Sequence, residues 1–172
     1  EGQLASQILG YLNVEGKGQY GIEGYFNDEL MGSSGFVETY HDLTGRELVD
    51  SEKILSQAQQ GVNLYLTLDR SVQYFVEEKL KNAVETYKAD SGSVVVMDPK
   101  TGKIIAMANY PTFNPNEYFK VDNYNNFNNS AIASSWEPGS IFKPLAMSMA
   151  LDLGLVTPDT SEEFGASIKV LD

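Results

Sequence analysis

The sequence has no cysteine, one histidine, one tryptophan and half as many basic as acidic residues. Without cysteine there is neither a disulfide framework nor a thiolate metal site. With 12 Lys and Arg against 24 Asp and Glu the formal charge is −12, which argues against nucleic acid or an anionic membrane surface as the main partner. No apolar run is long enough to cross a bilayer and no signal peptide is present, so a leader or anchor of the parent protein is expected outside these 172 residues. The one histidine, His41, stands in a turn, and a surface or structural role is expected for it rather than a place in a triad. Nothing in the sequence calls for a cofactor or a metal.

What is present suffices for a core. Hydrophobic residues make up 42% and aromatic residues 11%, and the length suits one ordinary domain or two small ones. Both ends read as cut, the first inside the pattern Gln3-Leu4-Ala5-Ser6-Gln7-Ile8-Leu9, the second in an unfinished strand ending at Asp172. A longer parent is therefore expected.

In chain order, residues 3–14 read as a short strand. The glycine-rich turn Gly16 to Gly21 leads into a helix over about Ile22 to Leu30, ended by Gly32. Residues 36–40 and 46–49 read as a hairpin around Asp42-Leu43-Thr44-Gly45. Residues 51–61, polar and glutamine-rich, read as a boundary, and Val62 to Leu68 as a strand. Asp69 is placed to cap a long amphipathic helix with Val72, Phe75, Val76, Leu80, Ala83, Val84 and Tyr87 on one face and Glu77, Glu78, Lys81 and Glu85 on the other. Ser93 to Met97 and Lys103 to Ala108 form the clearest hairpin, turned by Asp98-Pro99-Lys100-Thr101-Gly102. Both arms are apolar on both faces, which predicts a sheet covered by helices on each side. Residues 109–130, rich in Asn, Pro and aromatics, read as a long ordered loop, and residues 155–172 as a loop with a possible strand.

Between these lies the run Ser135-Trp136-Glu137-Pro138-Gly139-Ser140-Ile141-Phe142-Lys143-Pro144. Pro-Gly reads as a break, and Leu145, Met147, Met149, Ala150, Leu151 and Leu153 read as a buried helix behind it. Pro144 is tolerated only near a helix start, which puts Ser140 in or just before the first turn, where free N–H groups and the helix dipole favour developing negative charge. Residues three apart share a helix face, so the Lys143 amine can approach the Ser140 hydroxyl. A serine hydroxyl needs a base to become a nucleophile, and a lysine of lowered pKa can be one. Alone, S-x-x-K is weak, since an N-capping serine followed by a solvated lysine fits it equally well. The Pro-Gly break, the apolar helix and the upstream segments shift the reading to a serine acyl-transfer centre that needs no histidine.

Those upstream segments resemble the class B penicillin-binding proteins, monofunctional transpeptidases of bacterial cell-wall synthesis. Gly18-x-x-Gly21-Ile22-Glu23 is similar to a box in that family's non-catalytic pedestal. Leu66-Thr67-Leu68-Asp69-x-x-x-Gln73 is similar to the start of its catalytic domain. Val95-Val96-Met97-Asp98-Pro99-x-Thr101-Gly102-x-Ile104-Ile105-Ala106-Met107-Ala108 is similar to its first hairpin. Asn114-Pro115-Asn116 and Glu137-Pro138-Gly139-Ser140-x-Phe142-Lys143-Pro144 follow in order, with Trp136 where the family more usually has tyrosine. The resemblance implies an α+β fold of the penicillin-binding-protein and β-lactamase type, an antiparallel sheet flanked by helices. It implies residues 1–59 as the end of a small β-rich pedestal and 60–172 as the first portion of the transpeptidase domain.

It further implies Ser140 as the acylated nucleophile and Lys143 as its proton acceptor. The substrate would be the D-Ala-D-Ala end of a peptidoglycan stem peptide, and β-lactams would acylate the same serine. Partners would be a cell-wall glycosyltransferase and divisome or elongasome proteins, at the extracytoplasmic face of the bacterial cytoplasmic membrane, with an N-terminal membrane anchor outside this chain. The family's S-x-N and K-T/S-G motifs should follow the serine, and neither stands between Ser140 and Asp172; Lys100-Thr101-Gly102 precedes the serine and reads as turn chemistry, so this stretch alone is expected to be a poor catalyst. The alternatives are a serine β-lactamase, against which the pedestal-like first sixty residues argue, and a β-lactam sensor or non-catalytic division scaffold.

Overall fold

A computed structural model of the chain describes residues 2–38, 44, 54–163 and 165. It has the α+β character expected, in two compact units divided between Ser134 and Ser135.

In the first unit the clearest element is α4 (Arg70–Tyr87). Its start is fixed by Asp69, whose carboxylate accepts hydrogen bonds from the N–H groups of Ser71 at 2.8 Å and Val72 at 2.9 Å. These would otherwise be orphan donors of the first turn. Asp69→Ala is expected to destabilise the unit by about 1 kcal/mol, read as a fall in Tm of roughly 2–4 °C. An unchanged melt would mean that water replaces the cap.

α4 packs on an antiparallel hairpin of β5 (Gly92–Met97) and β6 (Ile104–Tyr110), paired from Gly92 with Tyr110 to Met97 with Ile104 across a bulge at Val96/Met97. The turn is set as expected. Asp98 accepts from the Lys100 N–H and the Thr101 hydroxyl, and Gly102 N–H returns to the Asp98 carbonyl. The Thr101 hydrogen bond, then that from Lys100, holds the Asp98 carboxyl below the usual carboxylate range. Leu80, Val84 and Ala108 form the core, with Val76, Val94 and Tyr110 against it.

Three expectations for this layer need correction. The buried stripe of α4 is Gln73, Leu80 and Val84, while Phe75 and Tyr87 are 56% and 82% exposed. Gln73 is 1% exposed because its amide closes a ring with the peptide of Met107, donating to the carbonyl at 2.7 Å and accepting from the N–H at 2.9 Å. Glu77, expected on the solvated face, accepts from Gln73 Nε2 and from the Ala5 N–H, both at 2.7 Å. Secondly, residues 62–68 form no strand. The chain gives the outer edge of β6 only the Thr67 hydroxyl, to the Ile104 carbonyl, and the Asp69 N–H, to that of Ile105, before it turns into α4. Strand propensity without a continuous partner edge does not make a ladder. Thirdly, one hairpin face is largely open: helix α5 (Ser130–Ala133) reaches the Ser93 and Asn109 end, while Val95 and Met97 stay exposed. Among the described residues the outer edge of β5 pairs with no strand.

At the start of the chain, residues 6–9 form a helical turn, α1 (Ser6–Leu9), and only Tyr11–Leu12 is a strand, β1, paired with β2 (Gly18–Gln19). This corrects the strand expected over 3–14. Gly18 is required by close approach, since a Cβ there would land on the Glu23 carbonyl. The helix expected over 22–30 is broken at Phe26 into α2 (Gly21–Tyr25) and α3 (Asn27–Met31), with Gly32 at its end as foreseen. β3 (Phe36–Glu38) pairs with β4 (Ile54–Ser56), which lies within the stretch 51–61 expected to be a boundary. Residues 46–49, His41 and the possible final strand lie outside the described residues.

The asparagine-rich loop is ordered by capping and by aromatic packing. Asn114 and Asn123 side chains accept from the N–H groups two residues on, starting the 3-10 turns Pro115–Lys120 and Tyr124–Phe127. Phe113 and Phe127, 3% and 4% exposed, meet edge to face at 4.8 Å. Tyr11 joins them, stacked on Tyr118 at 4.4 Å and tilted on Phe127 at 5.0 Å. Burial, then the phenols of Tyr20, Tyr118 and Tyr124, raise the Tyr11 hydroxyl above its ordinary pKa. Buried Gln7 ties the two segments, donating to the carbonyls of Pro111 at 3.0 Å and Asn126 at 3.2 Å. The sequence gives this segment no periodic signal, since its core is built from side chains about a hundred residues apart.

Candidate active site

The second unit begins with Ser135 and holds both residues expected to carry chemistry. Gly139, Ser140, Ile141 and Phe142 form a 3-10 turn that runs directly into α6 (Lys143–Asp152), with Pro144 in its first turn. The proline supplies no N–H where none is needed and fixes the backbone angle of a helix start. Gly139 has φ +56°, a left-handed conformation that a side chain resists, so the residue before the serine is constrained to glycine. The Lys143 N–H donates to the Ser140 carbonyl, closing the turn that puts the two residues on successive levels of one helical path.

Sequence reasoning therefore located Ser140 at the helix mouth and Lys143 one turn on. It did not foresee their surroundings. Both residues are exposed, and among the described residues neither side chain forms a hydrogen bond, to the other or elsewhere. The helix behind them was expected to be buried. Instead Leu145, Met147, Met149, Leu151 and Leu153 are 42–70% exposed, and the apolar residues lie all round α6 rather than along one stripe. A helix apolar on every side belongs to the middle of a larger protein. The described part of this unit, the 3-10 turn, α6 and an irregular tail, has no second layer to cover it. The turn can still present a hydroxyl and an amine on one face, ahead of a helix whose first N–H groups are uncapped by any side chain. A hydroxyl and an amine are the two groups that acyl transfer with a lysine base requires.

Residues 92–164 match the penicillin binding protein transpeptidase domain. The chain is 34% identical over 151 residues to stage V sporulation protein D of Bacillus subtilis, covering 88% of this chain and 23% of that protein. It is 37% identical over 155 residues to the peptidoglycan D,D-transpeptidase FtsI of Escherichia coli K12, covering 90% of this chain and 26% of the relative. Among solved structures, penicillin binding protein 3 of Mycobacterium tuberculosis, in complex with ampicillin, superposes with a TM-score of 0.75 at 31% identity, over 92% of this chain and 31% of that one. The chain thus spans about a quarter of the length of the curated relatives it matches. With S-x-x-K at the head of its apolar helix inside the matched segment, this chain is similar over most of its own length to penicillin-binding proteins and peptidoglycan D,D-transpeptidases.

Proposed function

We propose that the protein containing this chain is a serine D,D-transpeptidase that cross-links peptidoglycan stem peptides and is acylated by β-lactams. The observation that carries the reading is the pair Ser140 and Lys143, one turn apart at the uncapped start of α6, within the segment matched to the transpeptidase domain. Ser140 Oγ attacks the carbonyl of the penultimate D-alanine as its proton passes to the Lys143 side chain. The Ser140 N–H, with a donor from a later strand, stabilises the oxyanion. The C–N bond breaks, D-alanine leaves with the proton, and an ester to Ser140 remains. An amine of a neighbouring strand then attacks that ester, forms the cross-link and returns the hydroxyl.

In this reading residues 1–59 close the pedestal and 60–172 open the catalytic domain. The protein works at the extracytoplasmic face of the cytoplasmic membrane, beside a cell-wall glycosyltransferase and division or elongation proteins. Among the described residues no helix is long and apolar enough to cross a membrane, so an anchor would lie elsewhere in the protein. The test is turnover of a stem-peptide mimic ending in D-Ala-D-Ala by the full-length protein with an added amine acceptor. Release of D-alanine with formation of the new amide is expected. An intact mimic would leave a scaffold, and an enzyme that ignores the mimic yet rapidly hydrolyses penicillin would be a β-lactamase.

A further inference from the structure

The asparagines of the 109–130 loop divide into those with a structural duty and those without. Asn114 and Asn123 cap the 3-10 turns. Asn109 and Asn129 are buried and bonded to each other at 2.8 Å, and Asn109 Oδ1 also accepts from the Ser93 and Ser130 hydroxyls and the Ala131 N–H. Asn125, Asn126 and Asn128 do none of this. Their side-chain amides have no hydrogen-bond partner among the described residues, and all three line one cleft of about 390 Å³, within the first unit. The buried Asn109 lines it too, and the loop backbone beside it is held by Asn126 N–H to the Asn123 carbonyl at 3.0 Å and Asn128 N–H to that of Asn125 at 3.1 Å.

We infer that this cleft is a saccharide-binding subsite for a stretch of neutral, N-acetylated glycan. Its size falls in the range of small-ligand sites, roughly 300–1,000 Å³. No Lys or Arg is among the lining residues and Asp90 is, so a phosphate or carboxylate ligand would meet repulsion without a counter-charge. A lining of amides and hydroxyls offers an apolar ligand little. Each free asparagine amide presents a donor and an acceptor side by side, matching adjacent sugar hydroxyls or an acetamido group. Because the loop backbone is held by its own hydrogen bonds, little ordering is needed on binding. That the glycan is the amino-sugar strand of peptidoglycan rests on the proposed function. The preference for sugar over anion does not.

The test titrates the full-length protein with N-acetylchitotetraose, followed by calorimetry or ligand-observed NMR, with cellotetraose and inorganic phosphate as comparison ligands. Binding of the acetylated oligosaccharide is expected, weaker for cellotetraose and absent for phosphate. The double variant Asn125→Ala/Asn128→Ala should weaken it about tenfold, as expected for losing two hydrogen bonds. Its Tm should not move, because neither amide bonds within the chain. Absence of chitotetraose binding, equal binding by the double variant, or a preference for phosphate would each overturn the inference. Penicillin labelling measured on the same samples separates its failure from failure of the transpeptidase reading.

Discussion

Fluorescent penicillin is expected to label the full-length protein and to leave Ser140→Ala unlabelled, while Lys143→Ala slows acylation by about 10²–10⁴-fold, the range general-base catalysis contributes. Substitution by arginine sharpens the argument. Lys143→Arg keeps a cation beside the serine but gives a group that cannot shed its proton, so it cannot accept one from Ser140. If Lys143 is the base, arginine fails as badly as alanine; if it only supplies positive charge, arginine restores most of the rate. A Tm measured on each full-length variant separates a loss of chemistry from a loss of fold: a rate that falls at unchanged Tm belongs to the chemistry. Persistent labelling of Ser140→Ala would move the nucleophile elsewhere, and rapid acylation by Lys143→Arg would remove the base role.

The exposure of α6 bears on why that experiment needs the whole protein. Local sequence carried the chemistry of the turn: Pro138-Gly139 for the break, Pro144 for the helix start, and a three-residue spacing for the pair. It carried the β5 and β6 hairpin and the Asp69 cap for the same reason, each being decided within a few residues. The burial of α6 was inferred from its composition alone, and composition says only that a helix needs covering. The face of α4 was misjudged in the opposite sense. An apolar periodicity pointed to Phe75 and Tyr87, whereas the amide of Gln73 is what matches the free peptide edge of β6. A glutamine in register with Leu80 and Val84 was the available signal, and it is visible only once the stripe is allowed to include a polar residue that can pair with backbone.

The aromatic box shows the same limit at longer range and makes the strongest stability prediction. Phe127 is 4% exposed and contacts the rings of Tyr11, Tyr20, Phe113 and Tyr124, so its side chain joins the first twenty residues to the asparagine-rich loop. Phe127→Ala removes that ring and leaves a cavity among the rings of Tyr11, Tyr20, Phe113 and Tyr124. A loss of about 3–5 kcal/mol is expected, which for a chain of this size lowers Tm by on the order of ten degrees. Phe127→Leu keeps most of the volume and should lose much less. A second readout reports on the box itself. Burial is the first cause of the raised Tyr11 hydroxyl, so opening the cavity to water should bring its titration down towards that of an ordinary phenol. If Phe127→Ala melts with the parent and Tyr11 titrates unchanged, the box is not what holds the loop. The ordering would then have to come from Gln7 and the asparagine caps alone.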